Sequence, residues 1–358
     1  FRNIGDEAIL AAMIQHLKEI DKDLEIVVLS NEPAFTKRLH NVHAINRNNI
    51  FEITKELKNA DLFISGGGGL LQDVTSFRSV PYYLGLAALA KAKRKPVFFY
   101  AQGIGPLNLE ISRFLVKSIG NIINTITVRD ISSLEVLKSI GVRNPKLSVQ
   151  ADPTFGLDYY DPKVKIYDLP KENIMLSQNQ PLVVVSMRPW LGIPGYIQAV
   201  AAACDELVKT HSAAILYVPF HKEQDTPICQ ACIEMMQEKA YLWDCDSSPE
   251  KAKSVIKDAD FVIGMRYHSI AFAVAASTPF IALSYDPKVD NLLSIVQEKP
   301  ALSHVDYNTD SFSKHVESAW VRQKEIKEKL SNIKQKLNES AKHTAMLAIQ
   351  TAKEHLKL

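Results

Sequence analysis

Cysteine is scarce in this chain. Four residues (Cys204, Cys229, Cys232 and Cys245) among 358 cannot supply a disulfide framework. Cys229 and Cys232 have the Cys-x-x-Cys spacing of metal and redox sites, but no second pair accompanies them and their surroundings read as an ordinary helix. Reduced thiols in a cytoplasmic protein are the expectation. Excess charge of either sign is missing too: 42 Lys and Arg against 40 Asp and Glu leave +2, which does not describe a nucleic-acid binder. No run of 18 apolar residues occurs, so no membrane span is expected. No secretory leader is visible, although the chain opens at Asn3-Ile4-Gly5-Asp6, which reads as a strand-to-helix turn whose strand would lie before Phe1.

Several catalytic signatures are absent as well. The four glycines Gly66 to Gly69 are followed by no Gly-Lys-Ser/Thr, and they do not make a dinucleotide fingerprint. There is no Gly-x-Ser-x-Gly elbow and no carboxylate couple of the glycosidase kind. No Asp/His cluster has ligand spacing, so neither a metal nor a cofactor is expected.

What is present is β/α alternation, twice over. Short apolar runs at 25–30, 62–65, 97–101, 125–128 and 147–149 alternate with helical patterns at 8–20, 50–59, 82–93, 112–123 and 132–140. After an unpatterned stretch the alternation restarts, with strands at 182–186, 213–218, 241–243, 259–263 and 279–284. The phrase Lys58-Asn59-Ala60-Asp61-Leu62-Phe63-Ile64 returns as Lys257-Asp258-Ala259-Asp260-Phe261-Val262-Ile263. Either the repeat reflects the few residue types that suit buried parallel strands, or it marks two similar doubly wound domains facing across a cleft. The expected division is 1–160, a linker at 161–181, a second domain at 182–310 and C-terminal helices at 311–358. Residues 321–358 hold nine Lys/Arg and four acidic residues. This tail reads either as a solvated helical surface or as a basic face touching anionic lipid.

In open α/β sheets ligands bind beyond the carboxyl ends of the strands. Residues expected there include Arg129, Arg188, His221, Arg266, His268 and Lys288, with glycine turns at Gly67, Gly68 and Gly103. Arg266 and His268 share one turn, Gly264-Met265-Arg266-Tyr267-His268-Ser269. A guanidinium fork suits phosphate or carboxylate, and an imidazole carries a proton near neutral pH. Any one of these cations could be a solvated surface group; together they suggest a cationic cleft for a small anion. Gly66 to Gly69 suit either a ligand approached by backbone amides or a tight strand–helix crossing. Asp6 suits a helix cap or a sugar hydroxyl. Asp61 and Asp260 read as structural.

Asn3-Ile4-Gly5-Asp6-Glu7, Ile64 to Asp73, Ala101-Gln102-Gly103-Ile104-Gly105-Pro106, Val128-Arg129-Asp130 and Gly264 to Ser269 together resemble the polysaccharide pyruvyl transferase family. The resemblance runs from Asn3 to about Lys288. It implies two Rossmann-like domains in a glycosyltransferase-B-like fold and phosphoenolpyruvate as donor. It further implies a 4,6-linked pyruvate ketal as product, on a β-linked N-acetylmannosamine of a polyprenyl-diphosphate-linked cell wall precursor. Arg129, Arg266 and Lys288 would hold phosphate and carboxylate, and His268 would move protons. Asn3, Asp6, Gly67, Gly68, Gln102, Gly103, Arg188 and His221 are further candidates for substrate contact. The alternatives are a nucleotide-sugar glycosyltransferase of the same fold and a non-enzymatic phosphoglycan-binding module.

Overall fold

The computed structural model describes residues 2–74, 76–158, 180–190, 195–303 and 311–356. Most of the expected linker therefore lies outside the described residues. The chain divides into two compact units, one built from Ile9–Leu157 and Leu337–Leu358, the other from Arg2–Ala8 and Asp158–Lys336. The expected boundaries differ from this division at both ends. Residues 2–8 group with the later unit, and the tail divides at Leu337 instead of standing apart from 311 onward.

In chain order the elements of the earlier unit are α1 (Ile4–Ile20, whose first residues group with the later unit), β1 (Val27–Ser30), α2 (Pro33–His40), β2 (His43–Asn46), α3 (Ile50–Asn59), β3 (Phe63–Ser65), β4 (Gly68–Leu71), α4 (Ser79–Ala92), β5 (Val97–Ile104), α5 (Glu110–Gly120), β6 (Thr125–Val128), α6 (Ile131–Ser139) and β7 (Lys146–Val149). β1 and β2 form a parallel pair, while β5 pairs with both β3 and β4 on one side and β6 on the other, with β7 beyond. Strand β5 is buried along its whole length. Its side chains alternate between faces as a strand requires: Val97 and Phe99 enter a cluster with Val80, Leu84 and Val116, whereas Phe98 and Tyr100 enter one with Ile9, Met13, Ala345 and Ala348. Phe98 and Phe99 each contribute about 1.5–3 kcal/mol by burial.

The later unit contains β8 (Leu182–Ser186), α7 (Tyr196–His211), β9 (Ala214–Tyr217), α8 (Lys222–Met235), β10 (Ala240–Leu242), α9 (Pro249–Asp258), β11 (Phe261–Gly264), α10 (Tyr267–Ala276), β12 (Phe280–Ser284), α11 (Pro287–Ile295), β13 (Leu302–Ser303) and α12 (Phe312–Val321). Its strands run parallel in the order β10-β9-β8-β11-β12-β13. Counted within the unit this is the order of a doubly wound dinucleotide-type sheet, whose switch point lies between β8 and β11. Asp260, expected to be structural, accepts a 2.8 Å hydrogen bond from the Leu182 N–H.

Helix α13 (Gln323–Leu356) ends the chain. Ala341, Ala345, Ala348 and Ala352 are buried, and a Thr125–Thr351 hydroxyl contact of 2.9 Å fixes it to β6. Several of its charges are paired, Arg322 with Glu325, Lys329 with Glu298 and Lys342 with Glu19. Among the described residues no helix is long and apolar enough to cross a membrane.

Two local expectations need correction. The glycine run is not a strand-to-helix turn: β3 and β4 lie along the same side of β5, and Gly66-Gly67 interrupts that line. Gln102 and Gly103 do not follow β5 but lie within it.

Candidate functional site

In the later unit the expected residues gather at one edge of the sheet. Because all its strands are parallel, the segments after β8, β9, β11 and β12 leave the same edge, carrying Arg188, His221, Arg266 with His268, and Lys288. Arg188 and Arg266 flank the switch point.

The start of α1 belongs to this edge. Ile4 N–H donates to the Phe220 carbonyl at 2.9 Å, and Asn3 pairs through its backbone with His221. The Asn3 side chain accepts from Gly5 N–H at 2.8 Å and so caps the helix. Asp6, the sequence's candidate cap, is instead an exposed first-turn residue. Gly5 is buried against His268: a Cβ placed there would sit 1.9 Å from His268 Nδ1. Only glycine lets the imidazole lie on the backbone at the positive end of a helix. His268 is itself in the first turn of α10 and half-buried. Tyr267 packs edge-on against it, ring centres 5.0 Å apart.

Arg266 is buried and held by a carboxylate that the sequence did not reveal. Asp225, fully buried, accepts from Arg266 Nε at 2.9 Å and from Nη2. It also accepts from the backbone N–H groups of Phe220 (3.1 Å) and His221 (2.8 Å). Arg266 Nη2 reaches Gln224 at 3.2 Å. Nε and Nη2 of the guanidinium are thus both held. Burial, and then the Arg266 charge, hold the His221 imidazole below the usual histidine range, so it is neutral near pH 7.

Lys288 sits in the first turn of α11, not in a loop, with Nζ 3.3 Å from Asp286 and 5.1 Å from the Tyr285 ring centre. Arg188 lies 4.2 Å over the same ring, and Trp190 packs against it at 5.3 Å. Tyr285 and Trp190 were not singled out from sequence; an aromatic next to a strand end gives no signal until the fold shows a cation on it.

In the earlier unit Arg129 follows β6 and is buried. Its Nη1 lies 3.4 Å from Asp152 and its Nε 3.8 Å from Asp130. Its backbone N–H donates to the Gln102 carbonyl at 3.1 Å. A Cβ on Gly103 would approach Arg129 Nη2 to 2.8 Å, so glycine there makes room for the guanidinium. Gln102 is buried, donating to Ser65 (2.8 Å) and to the Gly66 carbonyl (3.0 Å), while its Oε1 has no partner among the described residues. A Cβ on Gly67 would come within 3.0 Å of the Ile9 side chain and 3.3 Å of the Tyr100 carbonyl, and Gly68 has φ +91°. Both glycines have structural grounds in packing and backbone conformation.

A pattern joins these residues. Arg129, Arg266 and Lys288 each have an aspartate partner: Asp152, Asp225 and Asp286. Such carboxylates orient a cation and offset its burial. The four thiols are buried, Cys229 on the same helix as Asp225 and near enough to feel the charges of Asp225 and Arg266. Burial holds the Cys229 thiol at about 12 and Cys232 at about 11, which keeps them protonated at neutral pH and unsuited to metal or redox chemistry.

Solved structures share the fold. UDP-bound MnaA of S. aureus aligns with TM-score 0.68 at 12% identity, covering 99% of this chain and 94% of that one. The UDP-GlcNAc 2-epimerase of Neisseria meningitidis aligns at 0.65 and 13%, over 98% and 97%. Anabaena HepE in complex with UDP-glucose aligns at 0.63 and 11%, over 98% and 96%. The fold is therefore that of the glycosyltransferase-B-like UDP-sugar enzymes, an α/β architecture of parallel sheets with a C-terminal helix. The sequence pattern of the polysaccharide pyruvyl transferases matches residues 3–287, and the chain belongs to that family of transferases. The amylovoran biosynthesis protein AmsJ of Erwinia amylovora is 22% identical over 256 residues. That match takes in 66% of this chain and 60% of AmsJ, so the chain spans about three fifths of that relative's length.

Proposed function

We propose that the chain transfers the pyruvyl group of phosphoenolpyruvate to a sugar, forming a 4,6-linked ketal and releasing phosphate. The observation that carries this reading is the His268 ring seated on Gly5 beside Arg266, in a chain of this family. The methylene carbon of phosphoenolpyruvate takes a proton and becomes a methyl group, which makes C2 electrophilic. One sugar hydroxyl adds to C2. The second hydroxyl then displaces phosphate, and its proton leaves with the phosphate or a base. The two hydroxyl protons thus balance the one gained by carbon and the one carried away.

His268 is assigned to proton transfer, where a positioned group contributes roughly 10²–10⁴-fold. Arg129, Arg266 and Lys288 are assigned to the phosphate and carboxylate of the donor, for which guanidinium forks and an ammonium are suited. Neutral His221 and the Arg188–Tyr285–Trp190 group are assigned to the acceptor, since aromatic faces beside polar tips suit sugar rings. The acceptor this reading names is a β-N-acetylmannosaminyl residue carried on a polyprenyl diphosphate, with galactosyl and glucosyl residues as comparison.

Phosphate release from phosphoenolpyruvate, measured with methyl β-glycosides of N-acetylmannosamine, galactose and glucose, tests the proposal. Release that requires one of the three supports it. Binding of UDP-glucose with no binding of phosphoenolpyruvate in calorimetry would replace it with nucleotide-sugar chemistry.

A further inference from the structure

The earlier unit carries an exposed apolar surface that its core does not explain. Val74 is 62% exposed, Phe77 66%, Leu109 43%, Ile111 60% and Phe114 62%. These five belong to two segments held side by side. Asp73 accepts from the backbone N–H groups of Asn108 and Leu109, both at 2.8 Å, and its own N–H donates to the Pro106 carbonyl at 3.2 Å. On α5 the face with Ser112, Val116 and Gly120 is buried, which leaves Ile111 and Phe114 on the outward side. Isolated exposed apolar residues are ordinary, but a contiguous group marks an interaction surface.

Charge selects the partner. Residues 73–78 and 107–122 contain Arg78, Arg113 and Lys117 against Glu110 and Asp73, whose carboxylate is engaged by the Asn108 and Leu109 N–H groups. All three cations are exposed, and none forms an ion pair among the described residues. Arg78 lies 5.5 Å from the Phe77 ring centre, and Arg113 Nε donates to the Leu107 carbonyl. Large apolar side chains flanked by unpaired cations describe a face that enters the headgroup region of an anionic bilayer. The tail, which the sequence also offered for this role, has several of its cations committed to glutamates.

We infer that the surface formed by Val74, Phe77, Leu109, Ile111 and Phe114, with Arg78, Arg113 and Lys117, docks the protein on an anionic lipid bilayer. Its segments follow β4 and β5, so within this unit Val74, Phe77 and Leu109 lie toward the strand-end edge that also carries Arg129, and α5 carries Ile111, Arg113, Phe114 and Lys117 from there toward the opposite edge. On the reading above, that edge would face acceptors held in the membrane.

Vesicle co-sedimentation tests this without any turnover assay, so its outcome is separate from that of the proposed reaction. The wild-type chain should pellet with phosphatidylglycerol–phosphatidylcholine vesicles and much less with phosphatidylcholine alone. Phe77→Ser with Phe114→Ser should weaken partitioning by about tenfold or more, as should Arg113→Glu with Lys117→Glu. The exposure of all four side chains predicts unchanged melting temperatures, which show that the variants are folded. Failure of the wild type to pellet, or equal pelleting by the variants, overturns the inference. So does a wild-type dimer in sedimentation velocity that the Phe variants abolish, since the surface would then be a protein interface.

Discussion

At the scale of single residues, the contact between Gly5 and His268 is the tightest constraint in the later unit. A methyl group at position 5 would have to displace the ring, because the imidazole is a stiff body and the helix backbone cannot retreat. Gly5→Ala should therefore reduce turnover by at least roughly tenfold while leaving helix α1 intact, an alanine being a better helix former than glycine. Steady-state kinetics alongside far-UV circular dichroism check both halves of that expectation. His268→Ala should lower kcat by about 10²–10⁴-fold and leave phosphoenolpyruvate binding by calorimetry close to that of wild type. Activity near wild type in that variant removes His268 from proton transfer. Lys288→Ala should act chiefly on the KM for phosphoenolpyruvate, with little change in stability because its pair with Asp286 is half-exposed.

At the scale of elements, the order of strands does the positioning. The sheet of the later unit delivers four loops to one edge, and the buried carboxylate at the start of α8 ties two of them together. Asp225→Ala leaves the buried Arg266 charge without its counter-ion and should cost about 3–5 kcal/mol of stability, read as a fall in denaturation midpoint. His221 adds a dependence on pH. Its folded pKa is depressed while its unfolded value stays near the usual ~6.5, so below that pH the unfolded chain binds more protons. Its contribution is complete above the unfolded value and is lost as pH falls through the folded one. A His221→Gln variant should show a flatter stability profile on the acid side in urea titrations. The strand ends that carry Arg266, His221 and Arg188 were legible in the sequence because apolar runs locate buried parallel strands. The aspartates that hold the cations were not. Asp225 lies 41 residues from Arg266, and only the adjacency of β9, β8 and β11 brings their following loops together. Gln102 and Gly103 were misplaced for a related reason: glycine and glutamine read as a turn, yet β5 runs on through them because β4 and β6 pair on either side. Helix α2 and strand β2 were missed outright, the strand being His43-Ala44-Ile45-Asn46, with only two apolar residues.

At the scale of the whole molecule, the chain belongs to the polysaccharide pyruvyl transferase family, and the chemistry proposed for it is transfer of a pyruvyl group to two sugar oxygens, with a proton delivered to the methylene carbon. The central claim is that phosphoenolpyruvate is protonated at its methylene and captured by two hydroxyls of one sugar. The most direct test is an NMR spectrum of the product formed in D₂O from phosphoenolpyruvate and methyl β-N-acetylmannosaminide. The mechanism predicts a new ketal methyl group bearing a single deuterium, appearing together with inorganic phosphate. A spectrum with no ketal methyl, or with a ketal methyl that contains no solvent deuterium, would contradict it.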